Sequence, residues 1–206
     1  MLFLLPLDPG VEMVVSSTGM SKGIEQTKGP QVIAKAYVQV GDLQLGGQWK
    51  NVTSATAEGE ASAFVNASRK FGAYSLAFGA SYKLQTGARS GTDSDSFEFT
   101  GALTRKIGRL SLKIGAIYSP DDLGGTKQSL YVESGPSFEL TKTLKLSANL
   151  GRRTREKNLD YTAMNVGATK NLARGFAIDL RYYRTNRSNL DDIYRSRAVV
   201  SGRWTF

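Results

Sequence analysis

The chain of 206 residues has no cysteine and no histidine, and each absence removes a class of chemistry. Without cysteine there is no disulfide framework and no thiolate metal site. Without histidine there is no side chain that ordinarily exchanges protons near neutrality, the usual general base of hydrolytic sites. No catalytic, cofactor or metal site is therefore expected. Two carboxylate pairs, Asp121-Asp122 and Asp191-Asp192, remain as acid–base candidates. Both fall in loop-like stretches beside Gly, Ser or Asn, and they read as solvated loop carboxylates rather than a dry pocket with one protonated member. Asp93-Ser94-Asp95 lacks the spaced ligands and closing Glu of a calcium loop. Gly87 to Gly91 is not followed by the Gly-Lys-Ser/Thr of a phosphate loop.

Long apolar runs are also missing. Hydrophobic residues make up 40% of the chain without forming a block, and nothing approaches the roughly 20 apolar residues of a spanning helix. That test does not detect membrane barrels, in which only alternate residues face lipid. The 27 basic and 18 acidic residues leave a net charge of +9. The basic residues are scattered singly through strand-like segments, with no basic helix or nucleic-acid motif, so no nucleic-acid partner is expected. An anionic solute or an anionic lipid surface fits the charge better.

What is present is alternation. Strands are expected at about 11–23, 31–41, 43–52, 60–69, 73–85, 96–106, 109–119, 128–140, 143–153, 160–170, 174–186 and 194–206. Leu110, Leu112, Ile114, Ala116 and Tyr118 oppose Ser111, Lys113, Gly115 and Ile117. Tyr74, Leu76, Phe78, Ala80, Tyr82 and Leu84 oppose Ser75, Ala77, Gly79, Ser81 and Lys83. Tight turns at Gly41-Asp42, 69–72, 106–108 and Thr141-Lys142 interleave with longer polar stretches at 22–30, 53–59, 86–95, 119–127, 155–158 and 187–193. Aromatics gather at the two ends of the strands. Tyr74, Phe138, Phe176, Trp204 and Phe206 fall near the tight turns; Trp49, Tyr82, Phe97, Tyr118, Tyr182 and Tyr194 fall near the longer loops. Two aromatic girdles with aliphatics between them are the pattern of a transmembrane barrel. The expected fold is all-β, an antiparallel up-and-down transmembrane β-barrel of about twelve strands.

The last segment carries the pattern furthest. Tyr194, Ala198, Val200, Gly202, Trp204 and Phe206 form one face; Arg195, Arg197, Val199, Ser201, Arg203 and Thr205 form the other. A closing strand that ends on an aromatic resembles the signal by which outer-membrane barrels engage the barrel-assembly machinery. Inward positions include Lys35, Lys50, Lys83, Lys113, Lys145, Arg153, Arg181, Arg195, Arg197 and Arg203, against the fewer acids Glu60, Glu98, Glu133, Glu139 and Asp179. Such a surface selects anions by attraction and by replacing hydration with fixed donors. The pore-lining candidates are Lys113, Lys145, Arg181, Arg195, Arg197, Arg203, Glu133 and Asp179. The competing reading is a lumen plugged by Arg–acid pairs, because twelve strands lie between filled eight-stranded barrels and open porins.

Ser16-Ser17-Thr18-Gly19-Met20-Ser21-Lys22-Gly23-Ile24-Glu25-Gln26-Thr27 with Gly29-Pro30, and Gly47-Gln48-Trp49-Lys50-Asn51-Val52 further on, resemble the TorF-type porin family of Gram-negative outer membranes. Asp160-Tyr161, Asn165-Val166-Gly167 and Asp179-Leu180-Arg181-Tyr182-Tyr183 are similar to two of its late-strand motifs. Lys22, Glu25 and Lys50 depart from the family's usual Arg, Ser and Ser. The resemblance implies a single passive barrel in the bacterial outer membrane. Small anionic solutes, outer-membrane lipid and lipopolysaccharide would then be the partners, with loop carboxylates meeting divalent cations at that surface. Residues 1–10 read as an N-terminal segment and 11–206 as the barrel. Met1 to Leu7 is apolar but lacks the basic region of an export signal, so a longer precursor is expected.

Overall fold

Between tight turns the chain runs extended for as many as 13 residues at a stretch. At about 3.3 Å per residue and a barrel strand's usual tilt, such a strand rises roughly 30 Å, the thickness of a bilayer's hydrocarbon core. The structure is a computed structural model that describes residues 7–53 and 57–206. Its strands are β1 (Asp8–Ser16), β2 (Met20–Ser21), β3 (Ile24–Glu25), β4 (Gln31–Val40), β5 (Leu43–Asn51), β6 (Gly59–Phe71), β7 (Tyr74–Thr86), β8 (Asp95–Ile107), β9 (Leu110–Asp122), β10 (Lys127–Glu139), β11 (Leu144–Arg155), β12 (Tyr161–Asn171), β13 (Phe176–Thr185) and β14 (Arg197–Thr205). All but β2 and β3 form one closed barrel of twelve strands. Neighbours pair antiparallel, and β1 closes against β14 from Glu12↔Thr205 to Ser16↔Ser201. Closure leaves no sheet edge with unpaired backbone groups, which hydrocarbon requires.

The polarity is inside out. Buried polar residues include Glu60, Ser96, Glu98, Ser119, Asp122, Ser129 and Arg153, whereas Phe78, Phe99, Ile114, Leu150, Val166 and Leu180 are exposed. On β14, Val199 is 3% exposed and its neighbour Val200 is 52% exposed, so the expected alternation holds residue by residue. A water-soluble barrel would bury the second set and expose the first.

Two expected boundaries are wrong at the first strand. The barrel begins at Asp8, not 11, because Asp8, Pro9 and Gly10 pair with Gln39, Val38 and Tyr37. Pro9 and Gly10 look like strand breakers. Gly10 leaves room for the Tyr37 ring, whose Cζ would lie 2.4 Å from a Cβ placed there. The expected strand 11–23 ends at Ser16. Lys22 and Gly23 both take positive φ, 50° and 83°, which is the primed turn of a two-residue hairpin. The chain therefore folds back on itself as β2–β3. The apolar start at 1–6 lies outside the described residues; Leu7 is exposed.

The other ends follow the expected asymmetry with one change. Short connections at 41–42, 72–73, 108–109, 140–143 and 172–175 lie at one end, and longer ones at 17–30, 52–58, 87–94, 156–160 and 186–196 at the other. The connection expected as a long loop at 119–127 is only 123–126, because β9 runs on to Asp122. The last strand starts at Arg197 rather than 194. Residues Asp192–Tyr194 form a short 3-10 turn.

Candidate functional site

The lumen has two unlike halves. At the long-loop end, the β2–β3 hairpin folds inward across the opening. It is a separate two-stranded unit, with no ladder to the wall. Side chains hold it. Lys22 Nζ lies 2.6 Å from Glu98 Oε2 on β8 and 3.7 Å from Asp122 Oδ2 on β9. Tyr161 Oη on β12 donates to the Lys22 carbonyl at 2.8 Å. Glu25 receives two bonds from Arg197 on β14, from Nε at 3.2 Å and Nη2 at 3.1 Å. Lys50 Nζ on β5 donates to Gln26 Oε1 at 2.8 Å. Ile24 packs in a buried cluster with Tyr161, Ala163 and Tyr194, whose tyrosine rings meet edge-on at 5.5 Å. Below, Thr27 Oγ1 accepts the Gly19 N–H at 2.7 Å and donates to the Gly29 carbonyl.

The wall behind the hairpin carries its own charge pairs. Lys83 Nζ is 2.7 Å from Glu98 Oε2, and Lys50 Nζ is 3.2 Å from Glu60 Oε1. Arg153 binds Asp122, which also accepts the Ser129 hydroxyl at 2.6 Å. A cavity of about 460 Å³ remains between hairpin and wall, bordered by Gln26, Lys50, Glu60, Lys83, Asp122 and Arg153. Lys22, which lies outside the barrel strands, has its pKa lowered, chiefly because burial disfavours the ammonium. Attraction from Glu98 offsets this only in part.

The other half is more open. A cavity of about 320 Å³ is bordered by Glu12, Lys145, Thr169, Asp179, Arg181 and Arg203. Arg181 is bound to Asp179 at 3.1 Å and also donates to Asn165 and Ser147 at 2.7 and 3.0 Å. Lys113 pairs with Glu133 at 2.9 Å. Among the described residues no carboxylate lies within 4.0 Å of the charged groups of Lys145 or Arg203.

The expected lining residues thus separate into kinds. Lys113, Glu133, Asp179 and Arg181 sit in the lumen as mutual pairs, and Arg197 sits there bound to the hairpin. Lys145 and Arg203 border the open half. Arg195 is not on a strand: it caps the 3-10 turn, exposed, in an ion pair with Asp192 at 2.8 Å. Of the girdle candidates, Trp49, Tyr82, Tyr118, Phe138, Trp204 and Phe206 are exposed. Phe176 stacks on Trp204 with ring centroids 4.4 Å apart. Tyr194, expected with the outward aromatics, is instead buried beneath the hairpin, because the chain has not yet entered the strand. Asp122, expected as a solvated loop carboxylate, is buried instead. A register shift at the end of β9, where the pairing passes from Ser129↔Ser119 to Lys127↔Asp122, breaks the alternation by one residue and turns Asp122 into the lumen, whereas Asp121 is exposed and pairs with Lys127. The hairpin is hard to see in the sequence because Lys-Gly is an uncommon primed turn, although Gly23 is a usable signal.

Comparisons with known proteins agree with this architecture. A family described as "Bacterial protein of unknown function (Gcw_chp)" matches residues 23–206. No curated protein matches the sequence. Among solved structures, the KdgM porin aligns with a TM-score of 0.68 at 10% identity, over 96% of this chain and 99% of that one. A second structure of the KdgM porin, described as in complex with disordered oligogalacturonate, aligns equally well. The NanC porin aligns with a TM-score of 0.59 at 9% identity, over 96% of this chain and 98% of its own. OmpTdeltaL8, a loop L8 deletion mutant of OmpT, an outer membrane protein of Vibrio cholerae, aligns with a TM-score of 0.53 at 8% identity, covering 98% of this chain and 99% of that chain. At these identities the likeness is one of fold.

Proposed function

The chain belongs to the Gcw_chp family of bacterial proteins, and we propose that it is an outer-membrane porin through which small hydrophilic solutes, anions preferred, diffuse passively. The observation that carries this reading is the inverted polarity of a closed barrel, with an apolar exterior and a charged lumen holding two polar cavities. An apolar exterior about as tall as a bilayer core is stable only in lipid, and the opening motif's resemblance to TorF-type porins points to the same membrane. Anion preference rests on Lys145 and Arg203 in the open half, which among the described residues make no ion pair within 4.0 Å although Glu12 and Asp179 border the same cavity. Arg181 and Lys113 contribute less, because Asp179 and Glu133 sit against them. Acidic saccharides are the first solutes to try, since one similar porin is described with an oligogalacturonate.

The test is single-channel conductance of refolded protein in a planar bilayer under a salt gradient. Discrete steps with an anion-selective reversal potential are expected. A second reading, a structural or surface-binding barrel, draws on the hairpin that crosses the outer opening. A heat-modifiable, folded barrel that never conducts would favour it and defeat the porin.

A further inference from the structure

The hairpin's contacts with the wall are unequal in what they leave behind. Were β2–β3 to lift, Glu98 would keep Lys83 at 2.7 Å, Asp122 would keep Arg153 and Ser129, and Lys50 would keep Glu60 at 3.2 Å. These groups are already paired within the barrel, so losing the hairpin strands no buried acid or lysine. Arg197 is the exception. Its fork grips both carboxylate oxygens of Glu25, and its other carboxylate neighbour, Asp192, stands off at 3.9 Å. Glu25 therefore occupies a guanidinium that would otherwise face the lumen with its strongest partner gone. Bidentate carboxylate binding is what an arginine fork recognises best.

The hairpin also has no strand pairing with the wall to lose. Its own ladder has two residue pairs, Met20↔Glu25 and Ser21↔Ile24. Its turn holds a non-glycine residue, Lys22, in the left-handed region. Strain of that kind persists only while surrounding contacts impose it.

We propose that Arg197 is a carboxylate-binding subsite at the outer opening, occupied at rest by the chain's own Glu25, and that a carboxylate-bearing solute takes Glu25's place and frees the hairpin. The solute is thereby both cargo and key. This rests on the porin reading for its purpose, but the exchange on Arg197 is measurable without any current.

Gluconate is the probe, in two assays. In bilayers, gluconate resident on Arg197 should stand in the ion path of the opening it has freed and interrupt chloride current for as long as it stays there. Glu25→Gln, which weakens the internal competitor, should lower the blocking concentration about tenfold, and Arg197→Gln in a heat-modifiable barrel should abolish the block. In detergent, Ile24→Cys provides a single thiol, since the native chain has none. Gluconate should accelerate its modification by a charged thiosulfonate, and chloride at equal ionic strength should not. Should Arg197→Gln fold poorly, Arg197→Lys, which keeps the charge but loses the fork, should weaken the block. Equal block in wild type and Glu25→Gln, with a thiol rate indifferent to gluconate, overturns the proposal and leaves the porin standing. Absent current in every variant defeats the porin; gluconate-dependent thiol exposure would then still establish the subsite.

Discussion

Near the long loops, Glu60, Glu98 and Asp122 each sit within ion-pair distance of a lysine or arginine, and a hairpin covers them. Near the tight turns, Lys145 and Arg203 border a cavity that Glu12 and Asp179 also line, and among the described residues neither cation has a carboxylate within 4.0 Å. The same barrel therefore pairs every one of these buried acids at one end and leaves two cations without a close partner at the other. The difference follows from burial. A carboxylate enclosed by a loop must be paired or the desolvation is not recovered. A cation in a water-filled vestibule has no such requirement. Function should divide likewise, with structure and gating at the outer end and selectivity at the inner end.

The largest effect expected is at the outer end. Arg153 is 8% exposed and is the strand-borne partner of Asp122. Arg153→Leu would leave Asp122 with Ser129 and with Lys22 at 3.7 Å. Breaking a buried pair costs about 3 kcal/mol or more, so unfolding in micelles should shift to clearly lower temperature. A loss under ~1 kcal/mol would mean that water already fills this end and that the contrast between the halves is false.

At the inner end, Lys145→Glu with Arg203→Glu should leave stability nearly unchanged and move the chloride-to-potassium permeability ratio about tenfold toward potassium, which is ~1.4 kcal/mol. The reversal potential in a salt gradient reads it. Arg181→Gln is the comparison: because Asp179 already cancels this charge, its effect on the ratio should be clearly smaller. A larger effect of Arg181 than of the double change would invert the assignment.

Lys22 sharpens the comparison through pH. Burial lowers its pKa while the hairpin is docked, and an undocked lysine returns to the ordinary value of 10.5. The docked state thus holds fewer protons than the undocked one between those two values. Docking strengthens as pH rises through that window, and it is weakest below it, where both states are protonated. One proton bounds the change at about tenfold per pH unit. Open fraction should therefore fall as pH rises toward 10.5, and Lys22→Met should remove that slope. An open fraction that rises with pH would reverse the sign and remove Lys22 from the latch.

The barrel was legible in the sequence because period two survives along most of the long strands, β9 losing it only at its last residues, and Val199 and Val200 fall on the faces that alternation gives them. The inward basic residues could be named for the same reason. Their partners could not, since Glu98 meets Lys22 across 76 residues of chain, and Glu25 meets Arg197 across 172. Pairing at that separation is set by closure and by where one loop folds. The three misplaced groups, Tyr194, Arg195 and Asp122, stand within a few residues of a strand end. There one residue more or fewer of strand decides between lumen, lipid and water.

The smallest effect belongs to the rim, where the same pair type that secures the outer end should count for little. Lys106 Nζ lies 2.8 Å from Glu139 Oε1, as close as the interior pairs, but both side chains are about half exposed, at 55% and 49%. An ion pair in water gains modest Coulomb energy, loses side-chain freedom, and is screened by salt. Lys106→Gln should therefore cost no more than ~0.5 kcal/mol, and that small difference should vanish in molar salt. Arg153→Leu should keep most of its penalty under the same conditions, because salt does not reach a pair beneath the hairpin. Equal salt sensitivity of the two variants would show that distance, and not enclosure, sets the strength of charge pairs in this lumen.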